Sequence, residues 1–360
     1  MQGVLIFAGP RASARVARCA ACLLVGLVPC APAAADCQIL QIAELPVETT
    51  HNRVVIHGEV NGQKVAALVD TGSAMSFLWR PAARKLGLHL VDDSRVHMYG
   101  IGGETLVQAT VVRELKLDQL TASNVRLAVA GDLAADFDMV LGEDILSRFT
   151  VEFDLAHGAV RLFQPRQCRP EQLAYWAKAY SFADLIASPA DSTRIQTTVL
   201  LNGKPVRAIL DSGAAVSTVS SAAAEMAGVP PDAGTTASGQ RIGGIGRKSL
   251  QSWTGTFASF SIGDETIRNA QLQIAELNQN SQVERTGSRI QATREIVPTM
   301  LIGADFLRSH RLVVAGADRK LVFTYIGGPV FQGMHHAAAP GSAPTAGDPS
   351  PTDNEPTHSP

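Results

Sequence analysis

The sequence predicts an all-β protein of two similar lobes, each with one short helix, related by a pseudo-twofold axis and enclosing a cleft. Three observations lead there. Residues 65–79, VAALVDTGSAMSFLW, carry an apolar run into an acidic turn, and residues 206–220, VRAILDSGAAVSTVS, read the same way 141 positions later (211 − 70). Apolar runs of this length bounded by turn residues are the mark of buried strands. Just before each stands a hairpin signal, Asn61-Gly62 and Asn202-Gly203, the dipeptide that a two-residue turn between strands favours. Short strands at this spacing with Gly-rich turns fit closed or partly closed barrels, about six to eight strands per lobe.

The 360 residues suffice for two domains, each with its own core. With 46% hydrophobic and 18% charged residues, most of the chain has the composition of a folded globular protein. A formal net charge of −2 and the lack of a basic patch argue against a nucleic-acid partner. The predicted division is a leader over residues 1–35, a first lobe over 36–165, a connector with a helix over 166–191, a second lobe over 192–330 and a tail over 331–360.

The leader has Arg11, Arg15 and Arg18 as a positive flank, an apolar core from 19 to 30, and Ala33-Ala34-Ala35 as a cleavage site, the pattern of a secretory signal. Its core is too short to span a membrane, which takes about 20 residues, so no span is expected in the mature chain. The expected location is periplasmic or secreted; lipoprotein processing at Cys30 is a second reading, against which Pro29 stands. Cys19, Cys22 and Cys30 leave with the leader, so Cys37 and Cys168 remain. In an oxidising compartment they form one disulfide; otherwise they are two unpaired thiols. No cysteine or histidine spacing suggests a metal site.

In chain order, residues 53–60 and 63–69 form the first hairpin and end at Asp70-Thr71-Gly72. A short helix follows over 80–88, with Pro81 at its start and Gly87 near its end. Tyr99-Gly100-Ile101-Gly102-Gly103 reads as the tip of a mobile hairpin. The run 138–142, a helical turn over 144–148 and a hairpin over 151–163 turning at His157-Gly158 complete the half. In the second half Asp211-Ser212-Gly213, Gly228 and Ile242-Gly243-Gly244 recur at the same offset; the register then shifts, and Gly303 matches Gly142 at 161 (303 − 142). The extra residues fall mostly in the polar stretch 276–296, read as a loop. The connector contains a helix over 171–180, and the Ala/Pro/Ser/Thr-rich tail lacks the apolar residues to fold.

A single Asp-Thr-Gly is also an ordinary turn. Here four features occur twice in the same order: an apolar strand, the acidic turn with its small residues, a Gly-rich hairpin tip and an apolar pair before Gly142 or Gly303. In this the sequence resembles the aspartic proteases of the pepsin and retropepsin type over residues 45–326, about four-fifths of the chain, most closely the bacterial exported proteins with two retropepsin-like lobes on one chain. The resemblance implies two acid-protease barrel lobes, catalytic Asp70 and Asp211, one from each lobe, and Thr71 and Ser212 hydrogen-bonded across the lobe boundary. It implies a polypeptide substrate, a monomer, and no cofactor or metal.

The chemistry follows from the pair itself. Two carboxyl groups about 3 Å apart cannot both ionise and share one proton. The ionised one takes a proton from water while the other donates to the scissile carbonyl. Gly72 and Gly213 allow close approach and offer N–H donors. Lobe one has Ser73 where lobe two has Ala214. A hydroxyl donating from Ser73 would make Asp70 the more acidic partner. Tyr99 either reaches over the substrate or packs, its counterpart being Gln240; Gly102, Gly103, Gly243 and Gly244 permit hinge motion or only serve the turns. The function expected is aspartic endopeptidase activity; the alternatives are a catalytically silent peptide-binding or regulatory protein of the cell envelope and a structural exported β protein in which the aspartates cap turns.

Overall fold

The computed structural model describes residues 36–132, 136–187, 194–231, 236–277 and 300–331. The leader, the tail beyond 331, most of the 276–296 stretch and the side chain of Gln240 lie outside the described residues. Lobe one contains β1 (Gln38–Thr50), β2 (Arg53–Val60), β3 (Gln63–Val69), β4 (Phe77–Trp79), α1 (Arg80–Lys85), β5 (Val91–Gly100), β6 (Gly103–Leu117), β7 (Leu120–Ala130), β8 (Met139–Leu141), α2 (Glu143–Leu146), β9 (Thr150–Asp154) and β10 (Ala159–Arg166). Lobe two contains β11 (Ser181–Asp184), β12 (Gln196–Leu201), β13 (Lys204–Leu210), β14 (Thr218–Ser220), α3 (Ser221–Met226), β15 (Thr236–Gly243), β16 (Ser249–Ile262), β17 (Glu265–Ala275), β18 (Met300–Ile302), α4 (Ala304–Leu307), β19 (His310–Ala315) and β20 (Lys320–Tyr325).

Both predicted Asn-Gly hairpins form. Asn61 and Gly62 have φ of 51° and 79°, and Asn202 and Gly203 have 48° and 76°, the left-handed pair that a tight hairpin turn needs and that Asn and Gly tolerate best. Each hairpin sends its second strand, β3 or β13, into the middle of a lobe. There β3 runs parallel to β8, β8 antiparallel to β4, and β4 parallel to β7; β13, β18, β14 and β17 repeat the pattern. Strands so enclosed must be apolar on both faces, and Val69, Leu141, Leu210 and Ile302 are fully buried in one core that continues through both lobes.

The lobes join through a shared sheet, in the order β11-β20-β19-β9-β10-β1. Its centre is the antiparallel pair β9–β19, where Glu152 lies opposite Val313. Glu152 is fully buried, yet Arg161 donates to it at 2.6 Å and Arg311 at 2.9 Å, the pairing that a buried carboxylate requires.

The connector differs from expectation. Instead of a helix over 171–180 there is a 3₁₀ turn, Pro170–Leu173, followed by irregular chain. Side chains claimed by the rest of the protein explain this. The Arg311 guanidinium stacks over Tyr175 and Trp176 at 5.2 and 4.6 Å, and the Trp176 ring N–H donates to Thr324 Oγ1 at 2.9 Å. A helix would turn these neighbours to different faces. Cys37 and Cys168 form a disulfide across 131 residues, tying the start of β1 to the connector.

Candidate active site

Asp70 and Asp211 leave the ends of β3 and β13 at equivalent points. The Asp70 N–H donates to Leu141 O at 3.0 Å and that of Asp211 to Ile302 O at 2.8 Å, so neighbouring parallel strands hold each loop. Oδ1 of Asp70 accepts from the N–H groups of Gly72 at 2.9 Å and Ser73 at 3.1 Å; Oδ1 of Asp211 accepts from Gly213 at 3.1 Å and Ala214 at 3.0 Å. The two glycines also make room for the opposite lobe. A Cβ on Gly72 would lie 2.5 Å from Asp211 Cγ, and one on Gly213 would lie 2.4 Å from Asp70 Cγ. Each carboxyl group thus sits against the loop of the other, close enough for the two to interact, and such a pair holds one proton.

Beneath the carboxyls, the Thr71 and Ser212 hydroxyls cross over. Thr71 Oγ1 donates to Leu210 O at 2.7 Å and accepts from the Ser212 N–H at 3.0 Å. Ser212 Oγ donates to Val69 O at 2.7 Å and accepts from the Thr71 N–H at 3.1 Å. Both side chains are fully buried, so this lattice of four bonds fixes one loop against the other.

The expected contribution of Ser73 is absent. Its hydroxyl donates to Met75 O at 2.9 Å, so the hydrogen bonds from the chain to the two carboxylates match. Burial, the Asp211 charge and the bond to Asp211 raise Asp70 well above the usual carboxylate range, against the two backbone N–H donors. Burial raises Asp211 as well, but the bond from Asp70, its own backbone donors and the charge of Arg194 oppose the rise. Both members of the pair are thus raised, and they hold one proton between them.

A second ring of groups escaped the sequence reading. Ser76 Oγ donates to Asp144 Oδ1 at 2.6 Å and accepts from the Gly142 N–H at 2.9 Å; Ser217, Asp305 and Gly303 repeat this at 2.6 and 2.9 Å. These bonds brace the loops against α2 and α4. The sequence carried the signal, a serine six positions after each aspartate and an aspartate two after each glycine. Asn52 Nδ2 also donates to Ala215 O, so lobe one supports the loop of lobe two. Glu143, which also acts on the pair, has no acidic counterpart in lobe two, since Ala304 stands in its place.

Over the cleft the two hairpin tips meet. Gly102 forms a bridge to Gly246, and the Lys248 N–H donates to Gly102 O at 2.9 Å. A Cβ on Gly246 would lie 2.2 Å from Gly102 O. The residue of lobe two that meets Gly102 is thus Gly246; Gly244 lies against Ile101, and a Cβ on Gly243 would meet nothing within 4 Å. The reason is loop length: Gly100 pairs with Gly103, but Gly243 pairs with Ser249. Gly103 takes the left-handed φ of 99°. Tyr99 is partly exposed, donates to Glu104 at 3.3 Å and lines a cavity of about 750 Å³ with Arg80, Leu106, Asp132, Arg247 and Lys248. Asp132 joins the lobes there, bonded to Arg80 at 3.1 Å and to Arg247 at 3.4 Å.

Two β lobes that bring one Asp-Thr/Ser-Gly loop each to a common floor define the aspartic protease class of fold. A sequence model described as aspartyl protease matches residues 56–145 and 197–306, more than half of the chain and one region in each lobe, and the chain belongs to this family. It is also 30% identical over 109 residues to the UBA domain-containing protein Mud1 of Schizosaccharomyces pombe, a stretch covering 30% of this chain and 32% of that protein. Among the described residues, no helix is long and apolar enough to cross a membrane.

Proposed function

We propose that the protein is an aspartic endopeptidase that hydrolyses peptide bonds with a water held between Asp70 and Asp211. The observation that carries this is the pair of facing carboxyl groups, one from each lobe, aligned by paired N–H donors. The charged member of the pair takes a proton from the water as it attacks the carbonyl carbon. The protonated member gives its proton to the carbonyl oxygen, and return of a proton to the amide nitrogen releases the amine. Because both loops belong to one chain, a monomer suffices. The hairpins that meet at Gly102 and Gly246 are the parts that must part to admit a peptide. Tyr99 and the cavity beside the tips belong to the rim of that path. The Cys37–Cys168 disulfide fits an exported protein.

The test is cleavage of casein and of mixed peptides across pH 3 to 8, with and without a pepstatin-type inhibitor. Asp70→Asn and Asp211→Asn are each expected to lose activity by a factor on the order of 10³ or more while remaining folded. A folded wild-type protein that cleaves nothing, or an Asp211→Asn variant that keeps its rate, overturns the reading.

A further inference from the structure

The two lobes press the same backbone against their aspartate loops. The Glu143 N–H donates to Ser73 O at 2.9 Å, and the Ala304 N–H donates to Ala214 O at 2.8 Å. The preceding glycines seal the contact, since a Cβ on Gly142 would lie 2.6 Å from the Met75 backbone and one on Gly303 2.7 Å from that of Val216. In lobe two the side chain at this point is a methyl group. In lobe one it is a carboxyl group only 3% exposed, whose Oε1 has no hydrogen-bond partner. A carboxylate in such a place is costly unless it holds its proton or faces a cation.

Among the described residues, no positive charge opposes it. The charged groups that act on Glu143 are Asp70, on the loop packed against it, and Asp144, its neighbour on α2. Asp144 turns to the Ser76 N–H and hydroxyl at 2.8 and 2.6 Å, while Arg148 on the following turn donates to the Asp144 backbone carbonyl. Behind Asp70 lies Asp211, whose opposing cation, Arg194, belongs to lobe two. Burial first, then Asp70 and Asp144, push Glu143 up to about 8.

We propose that Glu143 is a positioning residue that acts through Asp70: a third acid, present in lobe one alone, whose ionisation keeps the proton of the catalytic pair in place to higher pH. This rests on reading the pair as the proteolytic site. Coupling between titrating groups is reciprocal. Because Asp70 raises Glu143, a charged Glu143 must raise the pair. When base removes a proton from the three acids, part of the loss falls on Glu143, and the species with Glu143 ionised still has its pair singly protonated. Replacing Glu143 by a neutral residue forces the whole loss onto the pair.

The experiment combines kcat/KM profiles with carbon-13 NMR titration of the Asp and Glu carboxyl groups in the full protein. Glu143→Gln, and Glu143→Ala with the side chain of lobe two, are expected to move the alkaline limb acidward by about one pH unit, tenfold in proton affinity. Glu143→Asp, which keeps an acid, restores most of the range. In wild type one glutamate carboxyl is expected to titrate near 8, absent from the Gln variant, with the titration of the pair moved acidward there. An unmoved alkaline limb in an active Gln variant overturns the proposal, as does a Glu143 that titrates in the ordinary carboxylate range. A wild-type protein that cleaves no peptide ends the enzyme reading alone; the NMR titrations then decide the coupling. If the neutral variants do not fold, the wild-type and Asp titrations decide it.

Discussion

Replacing Thr71 by valine removes one hydroxyl from the lattice under the site at little change in volume. Two buried backbone groups lose their partner, the Leu210 carbonyl at 2.7 Å and the Ser212 N–H at 3.0 Å. Each unsatisfied group costs about 1–3 kcal/mol, so a loss of about 4 kcal/mol is expected. For a protein of this size that lowers Tm by roughly 10 °C. The two loops should also lose register, and a displacement near 1 Å at a reacting group costs on the order of 10² in rate. The assay is urea unfolding followed by tryptophan fluorescence, with kcat/KM measured on the same preparation. A double-mutant cycle with Ser212→Ala, which strands Val69 O and the Thr71 N–H, should give strongly non-additive losses because the four bonds form one lattice. A Thr71→Val protein with the wild-type midpoint and rate, or an additive cycle, refutes the claim that the lattice holds the loops.

Three further outcomes are expected. Opening the Cys37–Cys168 disulfide by Cys37→Ser with Cys168→Ser releases a 131-residue loop, worth about 5 kcal/mol in the chain-entropy model; an unfolding midpoint unaffected by the substitutions contradicts it. Ala214→Ser should leave the alkaline limb of the pH–rate profile where it is. Its hydroxyl would turn to Val216 O as that of Ser73 turns to Met75 O, and an acidward limb would show that it reaches Asp211 instead. Glu143 holds its proton more tightly folded than unfolded, so its contribution to stability is complete below its ordinary value of 4.5 and is lost as the pH rises to about 8. Wild type should therefore lose on the order of 4 kcal/mol relative to Glu143→Gln between those limits, read as diverging urea midpoints at pH 5 and 9; parallel midpoints reject it.

The parts legible in the sequence are those in which local chemistry and the repeat agree. Asn61-Gly62 and Asn202-Gly203 dictate tight hairpins by their own backbone preferences, and Asp70 and Asp211 stand out because each follows an apolar strand and precedes a glycine. The rest depended on contacts distant in sequence. Residues 171–180 have a helical composition, but Tyr175 and Trp176 are claimed by Arg311 and Thr324, over a hundred positions away. The hydroxyl of Ser73 could donate to Asp70 or to a nearby carbonyl, and only its rotamer decides for Met75 O. The lobe-two tip was displaced to Gly246 because the second hairpin loop is longer, which a fixed offset conceals. Glu143 reads as an ordinary acidic residue in the first turn of a helix, and only the packing of that turn against Ser73 buries it.

Both halves on one chain have a physical consequence that the central sheet makes plain. In the β9–β19 pair Glu152 faces Val313, and Val313 is its own counterpart under the repeat that relates Gly142 to Gly303. The pseudo-twofold axis therefore passes through this pair. Two identical lobes would place a buried glutamate against its copy, and like charges directly opposite are destabilising. Here one glutamate occupies the axis and takes an arginine from each lobe, Arg161 on β10 and Arg311 on β19. Neither arginine has a basic counterpart, since Val322 and Thr150 stand at the equivalent positions. The fused chain thus allows an ion network that a symmetric dimer could build only with two glutamates in contact. The same freedom lets lobe one keep Glu143 beside Asp70 while lobe two keeps Ala304, so the pair can be loaded with a third acid on one side only. In a symmetric pair of lobes each aspartate would be loaded alike, leaving no preference for which one holds the proton.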